Sequence, residues 1–507
     1  MISSLFDRLD YPSLLQGVYL NQASLGLIGQ PAVTAMHTFI DNVARHGNLY
    51  MSDRDEVAYC ETLRVRASRL LHCDSTQVAI VASASEILGQ LPMLLQPRLK
   101  STILAVSSDF PAITRPWLRL AALKDHTVRF VDDQPTCDLT DTLIEAIDED
   151  TSVVAVSSVQ YATGTVVDIS RLHQSTVQVG ARLIVDATQA AGAMRVDAAA
   201  WDADAVVASG YKWLGGHGGV ALAIMSPRLL EQIPPLPGWM GASNPFKFDA
   251  TSVSLANDAR RYTQSTMSYA SMAGLVIAVE QLLSLGEARI EAHARSLAAM
   301  LASDVSKYGW QPFRRVGVPT GSPHIISLGR PRESAQAIVG RLRSENIVCG
   351  TRGGRIRISL APYNDASDVD TLIEAFAGAW SGMSDCACGC SDGDAATGTA
   401  ATLASSTACS LPSCAIVPGG VANIRARTAP ARMRSQRSPL IGHSPPFRAP
   451  LRHKAPAPSQ LRCLVLTPIC TSRQHAASES NRNRSRFLRA VTSLQRARTR
   501  YCDFLRV

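Results

Sequence analysis

Lys212 lies in the segment ASGYKWLGG, 26 residues after Asp186, which closes the apolar run RLIVD. A lysine amine condenses with an aldehyde to give a Schiff base, and the freed amine then serves as a proton shuttle. A carboxylate beside a heterocyclic nitrogen keeps that nitrogen protonated, so that the ring accepts electrons. A site built on that chemistry also needs a flat group over the ring, donors for an anionic handle, and a cation for the carboxylate of an incoming acid.

The elements that must position these groups are visible as periodicity. Between Val78 and about Ile224, near-continuous apolar runs alternate with helical stretches. The runs are VAIVAS (78–83), STILAVSS (101–108), SVVAVSSV (152–159), RLIVDA (182–187), AVVASG (205–210) and VALAIMS (220–226). Strands that are apolar throughout suit a parallel sheet covered on both faces. Ser83, Asp109, Asp186 and Ser209 stand where runs end, and ligands of open α/β sheets bind at the carboxyl ends of strands. After a Pro/Gly-rich stretch (234–246) comes a helical pattern over 268–308. Strand-like HIISL (324–328), a helix near 333–345, RIRISL (355–360) and a helix near 367–380 then suggest a smaller α+β unit.

The net charge of +8 over 507 residues hides a break. Residues 1–380 hold 32 Lys+Arg against 37 Asp+Glu, whereas residues 381–507 hold 18 against 5. The acidic body gives no reason to expect nucleic acid or membrane as partner. The tail, rich in Ala, Ser, Pro and Arg and without sustained periodicity, reads as mostly disordered. Its Cys386, Cys388 and Cys390 lack the paired spacing of a structural zinc site, so no metal is expected. Cys60, Cys73, Cys137 and Cys349 are scattered as reduced thiols are. No run has signal-peptide or membrane-span length, and a cytoplasmic protein is expected.

The order and spacing of DATQAAG (186–192) and ASGYKWLGG (208–216) resemble the class V aminotransferase family of fold-type I pyridoxal-phosphate enzymes. That family includes cysteine desulfurases, selenocysteine lyases, kynureninases and isopenicillin N epimerase. The resemblance covers roughly residues 17–380. It implies an α/β, aspartate-aminotransferase-like fold: a large domain with a mainly parallel seven-stranded sheet, and a smaller C-terminal α+β domain. The chain then divides into an N-terminal segment (1–18), the cofactor-binding domain (19–262), the small domain (263–383) and the basic tail (384–507). By the same resemblance, Lys212 holds pyridoxal 5'-phosphate as an internal aldimine, Asp186 partners the pyridine nitrogen, and Gln189 bonds the phenolic oxygen. Ala84 and Ser85 in SASE, with Ser209 and Tyr211, hold the phosphate. Phe110 in SSDFPAI stacks on the ring. Thr266 in QSTMSY reaches the phosphate of a neighbouring subunit, which implies a homodimer with composite active sites. Arg357 in RIRISLAPYND clamps the substrate α-carboxylate, and YLNQASLG, with Asn21 and Ala23, borders the substrate pocket.

Two departures bear on the reaction. Desulfurases place a nucleophilic cysteine on a loop before the arginine-bearing strand. Here the only nearby thiol is Cys349, preceded by strand-like NIV, which reads as a small buried hydrophobe. In SSVQYATG (157–164), Gln160 or Tyr161 stands where the desulfurases carry an asparagine against the phenolic oxygen, a form closer to kynureninase. The expected activity is that of a transaminase-like enzyme on an amino-acid substrate, through a quinonoid intermediate. A desulfurase-like or C–S lyase, or an epimerase, is the alternative, and a non-catalytic binding protein on the same fold is the rival from another class.

Overall fold

The computed structural model describes residues 2–384. In chain order its elements are β1 (Val18–Tyr19), α1 (Gln30–His46), α2 (Asp53–Leu70), β2 (Val78–Val81), α3 (Ala84–Leu95), β3 (Thr102–Val106), α4 (Pro111–Leu123), β4 (Thr127–Val131), α5 (Leu139–Glu145), β5 (Thr151–Ser157), α6 (Ile169–Val179), β6 (Arg182–Asp186), α7 (Ala198–Trp201), β7 (Ala205–Ser209), β8 (Ala221–Met225) and α8 (Pro227–Leu230). There follow α9 (Tyr269–Leu285), α10 (Glu287–Val305), β9 (Gln311–Pro312), β10 (Ile325–Gly329), α11 (Ala335–Ser344), β11 (Ile347–Val348), β12 (Gly350–Arg352), β13 (Arg355–Ser359) and α12 (Ala366–Ser384).

The large sheet has seven strands in the order β2-β8-β7-β6-β5-β3-β4. Only β8 runs against its neighbours, so the sheet is mainly parallel, as expected from the sequence. The continuous apolar runs are explained by burial on both faces. Val154, Val156, Leu183, Val185 and Val206 face a core shared with α1, α2 and α9, while Val153, Ala155, Ile184 and Val207 face one built with α3 and α4. β4 has no such run because it is an edge strand; its pattern is half-exposed, and Arg129 pairs with Asp148 at 2.8 Å.

The smaller sheet is antiparallel, in the order β12-β13-β10-β9, with a parallel β1-β11 pair beside it. Val18 and Leu20 pack in its core with Leu297, Leu342, Ile356, Ile358 and Phe376. The N-terminal strand therefore belongs to the smaller core. The helical pattern of 268–308 is two helices broken at Gly286; Met272, Leu275 and Val279 of α9 stay with the large core, and Leu297 and Leu301 of α10 join the small one. Among the described residues no single helix is long and apolar enough to cross a membrane, and α9 with α10 passes only as a pair bent by 79°. The tail and its Cys386–Cys390 cluster lie outside the described residues.

Candidate active site

β2, β3, β5, β6 and β7 all end on one side of the large sheet, and their following loops enclose a cavity of about 170 Å³. Its walls include Ser83, Ala84 and Ser85 after β2, Phe110 after β3, Ser157 at the end of β5 and Tyr161 beyond it, Asp186 at the end of β6 with Thr188 and Gln189 beyond it, and Ser209 at the end of β7 with Tyr211 and Lys212 beyond it. Ala84 and Ser85 open α3, where the unpaired N–H groups of a first helical turn favour an anion.

Lys212 is 6% exposed, and its Nζ lies 5.2 Å from the Phe110 ring centroid and 5.7 Å from that of Tyr211. Burial pulls its pKa down to about 8; Asp186 opposes the shift, and Arg357 and Arg352 add to it. Asp186 is buried too, and burial raises its pKa against the opposing effects of Thr188 and Lys212. Its Oδ1 accepts the Thr188 N–H at 2.9 Å.

The floor is braced from behind. Asp109 accepts four hydrogen bonds: from Ser157 N (2.8 Å), Ser157 Oγ (2.6 Å), Gln160 Nε2 (3.0 Å) and Phe110 N (2.6 Å). It thereby ties the Phe110 loop to the end of β5, and the Phe110 ring meets Tyr161 edge-on with centroids 5.4 Å apart. Gln189 is fixed at three atoms. Trp213 Nε1 donates to its Oε1 (2.7 Å), its Nε2 donates to the Ala23 carbonyl (3.1 Å), and its own carbonyl accepts from His324 Nε2 (2.6 Å). Burial holds His324 neutral by lowering its pKa to about 4.

Beside this floor stands an arginine-rich rim. Arg357, on β13, is 1% exposed; Nη1 donates to the Tyr161 carbonyl at 2.8 Å, and Nη2 donates to Ser24 Oγ. Arg352, on β12, donates from Nη2 to the same Ser24 Oγ at 3.3 Å and from Nη1 to the Thr351 carbonyl. The hairpin turn between them, Gly353–Gly354, has φ of +54° and +72°, a region that costs other residues strain. Gly350 pairs with Arg357 across the hairpin. A Cβ there would come within 3.0 Å of Asn21 Oδ1 and 3.8 Å of both Arg357 Nη2 and Ser24 Oγ, so glycine lets Asn21 close up on the hairpin.

A family model described as aminotransferase class V matches residues 18–372. The chain belongs to the class V aminotransferase family. An uncharacterized aminotransferase of Bacillus subtilis is 25% identical over 373 residues, covering 72% of this chain and 95% of the relative. The cysteine desulfurase CsdA of Escherichia coli is 27% identical over 394 residues, covering 73% and 95%. Among solved structures, a lysine-to-alanine mutant of C-DES with glycine covalently linked to its PLP cofactor superposes with a TM-score of 0.67 at 20% identity, covering 73% of this chain and 99% of that one.

The cofactor of this class V aminotransferase-family enzyme is pyridoxal phosphate. The cavity fits it. A buried carboxylate, Asp186, is held by a backbone N–H and has no cation within ion-pair distance among the described residues, which suits a protonated pyridine nitrogen. A depressed lysine and the N-terminus of α3 line the same space.

The structure brings together Ala84, Ser85, Phe110, Tyr161, Asp186, Gln189, Ser209, Tyr211 and Lys212, with Ala23, Asn21 and Arg357 adjoining them. Two expected residues stand apart. Gln160 does not line the cavity: it turns back onto Asp109, so of the two candidates in SSVQYATG it is Tyr161 that faces the space. Thr266 is exposed and outside the lining of this chain's cavity. Cys349 sits in the small-domain core, 5% exposed, its pKa pushed up to about 12 by burial; among the described residues no cysteine lines the cavity. The periodicity pointed to neither Arg352 nor Ser24 nor Thr188. The only signal for Arg352 is the R-G-G-R hairpin, which places two arginines at the end of one ladder.

Proposed function

We propose that Lys212 is the amine that condenses with the cofactor aldehyde and, once released by the incoming amino acid, removes its α-proton. Pyridoxal phosphate, when bound, supplies the electron sink for the carbanion this creates. Asp186 faces the pyridine nitrogen, Gln189 and Tyr161 the phenolic oxygen, and Phe110 the ring. Ala84, Ser85, Ser209 and Tyr211 bind the phosphate, and Arg357 takes the substrate α-carboxylate between its terminal nitrogens. The observation that carries this is one buried lysine and one buried carboxylate on a single cavity, the lysine drawn to about 8, near the working pH of a general base. Transfer of the amino group is the leading outcome. Sulfur transfer to a protein thiol is disfavoured by the burial of Cys349, whereas β-elimination needs no such thiol.

The test is borohydride reduction of the purified protein followed by peptide mapping. The cofactor should be fixed on Lys212, and Lys212→Ala should show neither the label nor the visible band of bound cofactor. A label on another lysine refutes the assignment. A screen of amino acids, read as keto acid, pyruvate and sulfide, separates transfer from elimination.

We further propose a homodimer in which Thr266 serves the partner's site. Exposed Ile233, Leu236, Trp239, Phe248 and Val253 on the nearby stretch support it, because apolar surface of this kind is usually covered. Light scattering that gives a monomer mass at working concentration would refute it. A cytoplasmic home is supported by the free state of Cys60, Cys73, Cys137 and Cys349.

A further inference from the structure

Lys212 is held by its backbone from outside its own sheet. Its carbonyl accepts two hydrogen bonds. One, from Gly215 N at 3.1 Å, closes its own turn; the other, from Gln22 Nε2 at 2.8 Å, comes from the N-terminal segment 190 residues away. Gln22 is 4% exposed and its amide is engaged at both ends. Oε1 accepts the Leu27 N–H at 3.1 Å and the Tyr363 hydroxyl at 2.7 Å. A backbone N–H can only donate and a backbone carbonyl can only accept, so this amide has one orientation: oxygen toward Leu27, nitrogen toward Lys212. The Tyr363 hydroxyl is then the donor in its bond, and burial, which raises its pKa well above the usual value, keeps that proton in place.

Tyr363 is locked in turn. It follows β13, the strand that carries Arg357, and its ring packs on Tyr11 with centroids 4.9 Å apart. Buried Asn364 beside it donates from Nδ2 to the Tyr19 carbonyl at 3.1 Å and to Asp368 Oδ2 at 2.8 Å, and Arg8 donates to both oxygens of Asp368 and to the Tyr363 carbonyl. At the other end, the Gly26 N–H donates to the Tyr211 carbonyl at 3.0 Å. A Cβ on Gly26 would lie 2.5 Å from the Lys212 carbonyl and 2.6 Å from Gln22 Nε2, so the segment lies against the lysine turn more closely than a side chain permits. Building on the reading that Lys212 condenses with the cofactor aldehyde, we propose that Gln22 is a positioning residue for that lysine, and that Tyr363 holds Gln22 in the one orientation that serves it. The pair sets how far the amine reaches into the cavity. It acts through the backbone and touches neither cofactor nor substrate.

The test uses the full-chain protein, freed of cofactor and reloaded with either of two probes. Pyridoxal phosphate needs the amine: Nζ adds to its aldehyde carbon, one water leaves and a C=N bond forms. Pyridoxamine phosphate has no aldehyde and fills the same floor without that step. Gln22→Glu keeps an acceptor for Leu27 and Tyr363 and removes the donor to Lys212. It should slow condensation, read by absorbance, about 10-fold, less than the roughly 100-fold that a misplacement of about 1 Å costs. The affinity for pyridoxamine phosphate, read by calorimetry, should stay within about twofold, since the floor keeps its donors. Gln22→Met, uncharged and of similar length, should slow condensation as much, and decides the matter if a buried glutamate prevents folding. Tyr363→Phe removes one hydrogen bond at one step's distance and should slow it about threefold. Unchanged condensation in both Gln22 variants overturns the proposal. So does an equal loss for the two probes, because Gln22 would then support the floor as a whole. Borohydride trapping and peptide mapping of wild type keep the two readings apart. A label on another lysine sinks the Lys212 assignment and this proposal with it, whereas a label on Lys212 with an unchanged rate in the variants sinks the proposal alone.

Discussion

The floor and the rim of the active site are built on opposite plans. On the floor, each group comes from a strand end or the loop after it within one sheet, and opposite charges face each other: Lys212 against Asp186, and Asp109 against four donors. The rim joins residues more than 300 positions apart, Ser24 with Arg352 and Arg357, and all its charge has one sign. A resident cofactor allows its complement to be arranged in advance around a matched pair. A substrate that comes and goes brings the missing sign with it.

The contrast breaks first at Asp186. Asp186→Asn keeps the shape of the floor and removes its only negative charge toward the lysine, so turnover should fall by about 100-fold or more, the effect of losing a charged group in a dry site. Cofactor binding, followed by absorbance, should persist. Retained turnover would mean that the floor's charge balance is structural only. Next in size is Asp109→Ala, which leaves four donors unmatched. Denaturant unfolding should show a loss of about 2–4 kcal/mol, with cofactor affinity weakened through the freed Phe110 loop. A loss well under 1 kcal/mol would show that the brace behind the floor is dispensable.

These regions also differ in how far the sequence reveals them. Buried parallel strands announce themselves as apolar runs, and the polar residues at the end of each run stand at the ligand side, so Asp186 and Ser209 are legible from order alone, whereas Phe110 is placed by the family resemblance. The edge strand β4 is not, because four of its five residues are partly exposed and Arg129 interrupts the pattern. Gln160 could be placed near the cofactor by its neighbours in sequence, but not turned away from it; that depends on Asp109, 51 residues earlier. Ser24 and Arg352 meet only because the N-terminal segment packs against the small-domain sheet, and no local periodicity encodes a contact of that range.

At the rim, Arg357→Gln should raise KM for the amino acid by about 10- to 100-fold while leaving the cofactor spectrum as in wild type, since Arg357 touches the floor through the Tyr161 carbonyl alone. A spectrum that changes as much as KM would mean that floor and rim are one unit.

The smallest effect concerns how far the rim's charge reaches. Only a neutral lysine condenses with an aldehyde, so the rate of pyridoxal-phosphate incorporation into apo-protein should rise with pH and level off above about 8, the value to which Lys212 is drawn. Burial sets most of that depression; Arg357 and Arg352 deepen it, and Asp186 opposes it. Removing a repelling cation stabilises the protonated amine, so Arg352→Gln should move the midpoint up. Removing the attracting anion does the reverse, so Asp186→Asn should move it down. Each shift should be below about one unit, because a partly exposed guanidinium is screened by solvent and salt. Opposite shifts of comparable size show the lysine balanced between floor and rim. A midpoint that responds to Asp186→Asn and ignores Arg352→Gln shows that the rim's charge stops at Ser24 and acts on the substrate alone.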